Sequence, residues 1–275
     1  MTRRDAMDLL RRHDIEPSRA LGQNFVVDPN TIRRIVRLAD VGPGDRVIEV
    51  GAGLGALTVA LTETGAGVTA VELDRHLLPV LREVLAGTEA RVVEGDALTI
   101  DWAPILGATP DDERPWKLVA NLPYNVAVPL VLDLLDREPA IGSMLIMVQR
   151  EVGERLAAAP GGPEYGIPSV KVAYWATAEV VGRVPPSVFL PRPRVESVLV
   201  RIVRRPSPAV GADPDRLFAL VRTAFGQRRK MLRRSLAGLV DPAAFGRAGV
   251  SPASRPQELA VEDWGRLADA QGSLQ

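Results

Sequence analysis

The residues of this chain best suited to chemistry stand together at 121–124, Asn-Leu-Pro-Tyr, where the apolar run 118–120 stops. The amide oxygen of Asn121 is a neutral acceptor for an N–H. Pro123 disfavours helical backbone at Leu122 and so helps direct the Leu122 carbonyl, a second acceptor. Tyr124 offers a flat face on which a base can stack, worth about 1–3 kcal/mol. The same face attracts a sulfonium by about 0.5–2 kcal/mol. Two acceptors and a stacking face suit methyl transfer to an adenine amino group, a poor nucleophile because its lone pair is delocalised into the ring. Such catalysis is positioning and electrostatics, with no covalent intermediate. Taken alone, Asn-x-Pro after a strand is also ordinary turn chemistry.

Three further features follow earlier strands. VIEVGAGLGALT places Gly51, Gly53 and Gly55 between a strand and a helix, a turn that lets backbone approach a ligand at a helix N-terminus. Glu72 ends the next strand, where a carboxylate accepts ribose hydroxyls. Glycines and acid together suit NAD or an adenosyl ligand equally well. Asp96, in EGDAL, follows the third strand. Gly51, Glu72, Asp96 and Asn121 thus follow four successive strands, and ligands of open parallel sheets bind outside the strands' carboxyl ends.

Composition narrows the chemistry. The 275 residues include no cysteine and two histidines, His13 and His76. Thiolate nucleophiles, disulfides and multi-histidine metal sites are thereby set aside, and a reducing compartment is expected. The charged N-terminus MTRRDAMDLLRRHD does not fit a signal peptide, and no apolar run is long enough to span a bilayer. A cytoplasmic, monomeric protein without metal is expected. Lysine plus arginine and aspartate plus glutamate both number 34. Between 186 and 235, however, twelve basic residues face three acids, which points to a polyanion partner for that segment.

The elements that must position these residues alternate. Strands are expected at 46–50, 67–73, 90–94, 117–120 and 143–149. Helices are expected at 5–13, 29–39, after the glycine turn, at 74–87 and at 129–137. This is the pattern of an α/β doubly wound sheet. Two more strands fit 177–184 and 196–203, joined by PPSVFLPRPR. RRPSPAVGADPD reads as a linker, so a catalytic domain at 1–204 and a helical domain at 205–275 are expected. Helices fit 216–239 and 261–270.

The motifs LGQNFVVD (21–28), EVGAGLGALT (49–58), VELD (71–74), GDAL (95–98), NLPYN (121–125), VQREVGERL (148–156) and PPSVFLPRPRVES (185–197) resemble the ribosomal RNA adenine N6,N6-dimethyltransferases. These have the Rossmann-like, S-adenosylmethionine-dependent methyltransferase fold. FGQRRKMLRRSL (225–236) resembles the small-subunit (16S) branch, which dimethylates two adjacent adenosines in a hairpin loop near the RNA 3′ end and takes part in ribosome biogenesis. The resemblance implies donor contacts from Asn24, Val26, Gly51 and Gly53. It implies a ribose contact from Glu72, an adenine contact from Asp96, and Asn121 bridging donor and target. It also makes Phe189 the second face of a base sandwich with Tyr124, although Val188 and Leu190 beside it suit core packing as well. Val26 stands where the family usually has Leu, and Ala127-Val128 where it often has hydroxyl residues. The stretch 107–115 reads as an insertion.

Arg228, Arg229, Lys230, Arg233 and Arg234 fall at i, i+4 spacing on the helix expected over 216–239, forming one basic face. RNA phosphate contact is favoured over a merely solvated face because acids are so few nearby. The expected partner is 16S rRNA within the small (30S) subunit. Rivals are a large-subunit (23S) adenine methyltransferase of the macrolide-resistance type, an assembly factor acting by binding, a DNA adenine methyltransferase, and an NAD oxidoreductase that would leave Asn-Leu-Pro-Tyr idle.

Overall fold

The computed structural model describes residues 1–18, 21–107, 114–123 and 126–271. Nine strands occur among them: β1 Phe25–Val26, β2 Arg46–Val50, β3 Gly67–Glu72, β4 Arg91–Glu94, β5 Trp116–Asn121, β6 Ile141–Gln149, β7 Ala176–Val184, β8 Phe189–Leu190 and β9 Ser197–Arg204. Seven form one sheet in the order β4-β3-β2-β5-β6-β9-β7. Strand β2 is parallel to both β3 and β5, β3 to β4 and β5 to β6, while β9 runs antiparallel to β6. The apolar runs of β2, β3 and β5 fit strands covered on both faces. The chain builds outward from β2 to β4 on one side and from β5 to β6 on the other. Order therefore reverses between β2 and β5, the switch point at which such sheets bind ligands.

Helices form where the local chemistry allows. Helix Pro29–Ala39 opens on Asp28, whose carboxylate accepts from Thr31 N (2.8 Å) and Thr31 Oγ1 (2.6 Å), with Pro29 in the first turn. Those bonds satisfy donors otherwise orphaned at a helix start. The helix buries Ile32 and Ile35. The helix expected over 74–87 is confined to Leu78–Val84. The strand pair β1–β8 was not expected: Phe25 pairs with Leu190 and Val26 with Phe189.

The chain divides into two compact units, Met1–Gly153 with Glu179–Val203, and Glu154–Ala178 with Arg204–Gln275. The boundary expected near 205 is thus one of three crossings, and 154–178 belongs with the tail. Aromatic packing explains this. Tyr165 donates to the Leu259 carbonyl (2.9 Å) and Tyr174 to that of Ala212 (3.0 Å), and both are buried with Leu217, Phe218 and Trp264. Helices Ile167–Trp175 and Pro242–Ala248 complete this unit.

The basic helix expected over 216–239 is broken. Helix Pro214–Phe225 ends at Gly226, and a separate turn of helix runs Leu232–Ser235. Leu232 N bonds to Ser254 O (2.8 Å) and Arg233 N to Pro252 O (3.0 Å). These donors are therefore spent on a distant loop instead of an i−4 carbonyl. Arg228, Arg229 and Lys230 occupy the intervening turn, so the five basic residues do not share one helical face.

Candidate functional site: a cavity at the carboxyl ends of the central strands

The carboxyl ends of β2, β3, β4 and β5 open on one cavity lined by Asn24, Gly51, Gly53, Glu72, Asp96, Asn121, Leu122 and Pro123, among others. Four strands thus deliver the residues whose positions along the chain suggested a common edge.

Gly51 and Gly53 both have left-handed backbone, φ +72 and +58. A Cβ on Gly53 would lie 2.9 Å from the ring of Phe25, so this turn admits no side chain without displacing that ring. Gly53 N instead donates to Glu72 Oε2 (2.8 Å), and Asp74 N donates to Glu72 Oε1 (2.9 Å). Glu72 is 6% exposed. Burial pushes its carboxyl above the ordinary value, opposed by the two backbone N–H groups. Each oxygen has a lone pair beyond its backbone bond, the pattern needed to take a pair of ribose hydroxyls. Asp96 accepts from Leu98 N through Oδ1 (2.9 Å), and Oδ2 has no hydrogen bond among the described residues.

Asn121 Nδ2 donates to the Asn24 backbone carbonyl (2.8 Å). That bond sets the amide's orientation and leaves Oδ1 as the acceptor. Leu122 is buried beside it, its N–H bonded to Met147 O (3.1 Å). Tyr124 and Asn125, with the stacking role expected of Tyr124, lie outside the described residues, as do 108–113 of the expected insertion.

Two expected site residues, Val26 and Phe189, lie opposite one another in the β1–β8 pair. Val26 is 8% exposed, and its side chain packs in the core with Ile32, Phe189 and Leu199. Phe189 is 1% exposed in the same cluster, and Tyr124, its expected partner about a base, lies outside the described residues. Pairing of β1 with β8 turns both side chains inward, as the flanking Val188 and Leu190 allowed.

Two residues went unremarked in the sequence. Gln23 donates through Nε2 to Asp74 Oδ2 (2.7 Å) and accepts from Ser18 N through Oε1 (2.7 Å), tying the wall of the cavity to the end of β3. Glu49, the acid in RVIEV, is buried within β2. An acid inside an apolar strand was the available signal.

Known proteins resemble this chain in sequence and in fold. The sequence pattern of the family described as ribosomal RNA adenine dimethylase matches residues 16–270. This chain belongs to that family. It is 49% identical to the ribosomal RNA small subunit methyltransferase A of Kineococcus radiotolerans, over 98% of this chain and 90% of that protein. It is 46% identical to the enzyme of the same name from Thermobifida fusca, over 98% and 95%. Among solved structures, the 23S rRNA methyltransferase ErmE superposes with TM-score 0.69 at 28% identity, covering 90% of this chain and 99% of the other. The fold is accordingly the Rossmann-like fold of methyltransferases, and the chain is an rRNA-modifying methyltransferase by family. No described helix is long and apolar enough to cross a membrane.

Proposed function

We propose that this chain binds S-adenosylmethionine in the cavity and dimethylates N6 of two adjacent adenosines in the 3′-terminal hairpin loop of 16S rRNA. The substrate is the small subunit during its assembly in the cytoplasm. One observation carries this reading: the Asn121 amide, oriented by the Asn24 carbonyl, shares a cavity with Glu72 and Asp96. The donor fits the residues present. Glu72 has two acceptor oxygens for ribose hydroxyls, Asp96 has a carboxylate for an adenine amino group, and the glycine turn leaves space where a Cβ would intrude. When bound, the donor supplies an electrophilic methyl on a sulfonium.

The chain's own residues do the rest. Asn121 Oδ1 accepts one N6–H of the target, and the Leu122 carbonyl accepts the other. Together they turn the nitrogen lone pair toward the methyl. Tyr124 stacks on the base, and Arg228, Arg229, Lys230, Arg233 and Arg234, all exposed, contact RNA phosphates. The curated relatives at 49% and 46% identity carry small-subunit names, whereas the 23S enzyme stands at 28%, which favours the 16S target.

Transfer of labelled methyl from S-adenosylmethionine to unmethylated small subunits, followed by mapping of the product, tests this. Two adjacent dimethyladenosines are expected; label confined to large-subunit RNA would sink the reading. A role in assembly by binding is compatible with it, because phosphate contact and methyl transfer use different residues.

A further inference from the structure

Glu49 is the next-to-last residue of β2 and is 2% exposed. It borders a small cavity of about 40 Å³, together with Gly51, Ala56 and Asn121. Gly51 and Asn121 also line the donor cavity, so Glu49 lies behind its floor. Among the described residues its Oε2 has no hydrogen-bond partner, and the Thr58 hydroxyl is the neutral polar group that acts on the carboxyl. Around it, Ile32 and Ile35, Phe25 and Val26, and Leu57 are apolar, and the charged group acting on it is Glu72. An ionised carboxylate with an orphaned oxygen is costly in such surroundings. Glu49 accordingly holds its proton: burial, with the Glu72 charge added and the Thr58 hydroxyl opposing, raises its carboxyl to about 8.

An approaching cation reverses that balance, since a nearby opposite charge favours the ionised form. The donor of the proposed reaction carries a sulfonium, and its product is a neutral thioether. We propose that Glu49 is a specificity-determining residue for the charged donor: it releases its proton to solvent when the sulfonium enters and regains one when the thioether takes its place. The carboxylate then attracts donor more than product, which aids exchange between successive methylations. This inference rests on the donor assignment above.

Titration calorimetry of the full chain at pH 6.5, in phosphate and in imidazole buffer, counts protons released on binding. That pH lies below the range, about 7.7–8.0, in which free α-amino groups titrate. S-adenosylmethionine is expected to release between about half a proton and one, and S-adenosylhomocysteine close to none. Glu49→Gln should abolish the release and reduce the preference for the sulfonium about tenfold. Equal release with both ligands overturns the inference, and so does undiminished release by the variant, which would assign the proton to Glu72. A second measurement needs no variant. In the unaltered protein, the ratio of S-adenosylmethionine to S-adenosylhomocysteine affinity should rise between pH 5.5 and 7, and a flat ratio refutes the proposal. Absence of any S-adenosylmethionine binding would instead sink the donor assignment, whereas binding without proton release removes Glu49 alone.

Discussion

At the scale of residues, the site depends on how two small groups are held. Asn121 has an amide nitrogen engaged by Asn24 O at 2.8 Å and an oxygen left over. Asn121→Ala removes the acceptor together with the bond to Asn24. Methyl transfer should fall by about a hundredfold or more, the range for losing one positioned polar group. Filter binding should show affinity for the small subunit little changed, and loss of both would argue against separate binding and transfer roles. Gly53 is held differently, by conformation and by space. With φ +58 and Phe25 2.9 Å from a built Cβ, Gly53→Ala should cost about 1–3 kcal/mol of backbone strain. A lowered Tm together with weaker donor binding is expected, because Gly53 N also holds Glu72. Donor affinity equal to that of the unaltered protein would refute the role given to this turn.

At the scale of elements, caps and turns decide where side chains are presented. The Thr31 hydroxyl and backbone N–H hold the Asp28 carboxyl below its usual range. Its folded value is thus depressed, so its contribution is complete above the ordinary value of 3.8 and is lost as pH falls through the folded value. Asp28→Ala should cost about 1 kcal/mol in urea unfolding at pH 7, and the difference should shrink toward pH 3. The basic turn after Gly226 is an element too, though not the helix its spacing suggested. Replacing Arg229, Lys230, Arg233 and Arg234 by Ala should weaken binding to small subunits. It should also flatten the dependence of log K on log salt by about 0.7–0.9 for each phosphate no longer neutralised. An unchanged slope would mean that these side chains are merely solvated.

At the scale of the whole molecule, the buried acid sets a pH dependence opposite in sign to that of the capping Asp28. Glu49 goes from an ordinary value of 4.5 to about 8 on folding. Between those values the folded chain keeps a proton that the unfolded chain has lost. Stability therefore falls as pH rises through that window and levels off above about 8. Glu49→Gln should gain stability relative to the unaltered protein as pH rises from 5 to 8, read as a difference in Tm. A constant difference would show that the carboxyl is not held neutral.

The residues at the strand ends were legible because each depends on short-range pattern. An apolar run followed by Gly51, Glu72, Asp96 or Asn121 marks a strand's carboxyl end, and a parallel sheet places all such ends on one edge. The break of the basic helix was less legible: i, i+4 spacing supports a helix over 216–239, and only Ser254 O and Pro252 O, from a distant loop, redirect the N–H groups of Leu232 and Arg233. Phe189 and Val26 are similar, since nothing within either segment reports that residues 25–26 pair with 189–190. Local sequence by itself determined which chemistry was available, the alternation of the central strands with helices, and the edge on which polar groups emerge. Tertiary structure alone decided the burial of Phe189 and Glu49, the membership of 154–178 in the second unit, and the bond from Asn121 to Asn24. Each of these joins distant parts of the chain, which local period and propensity do not encode.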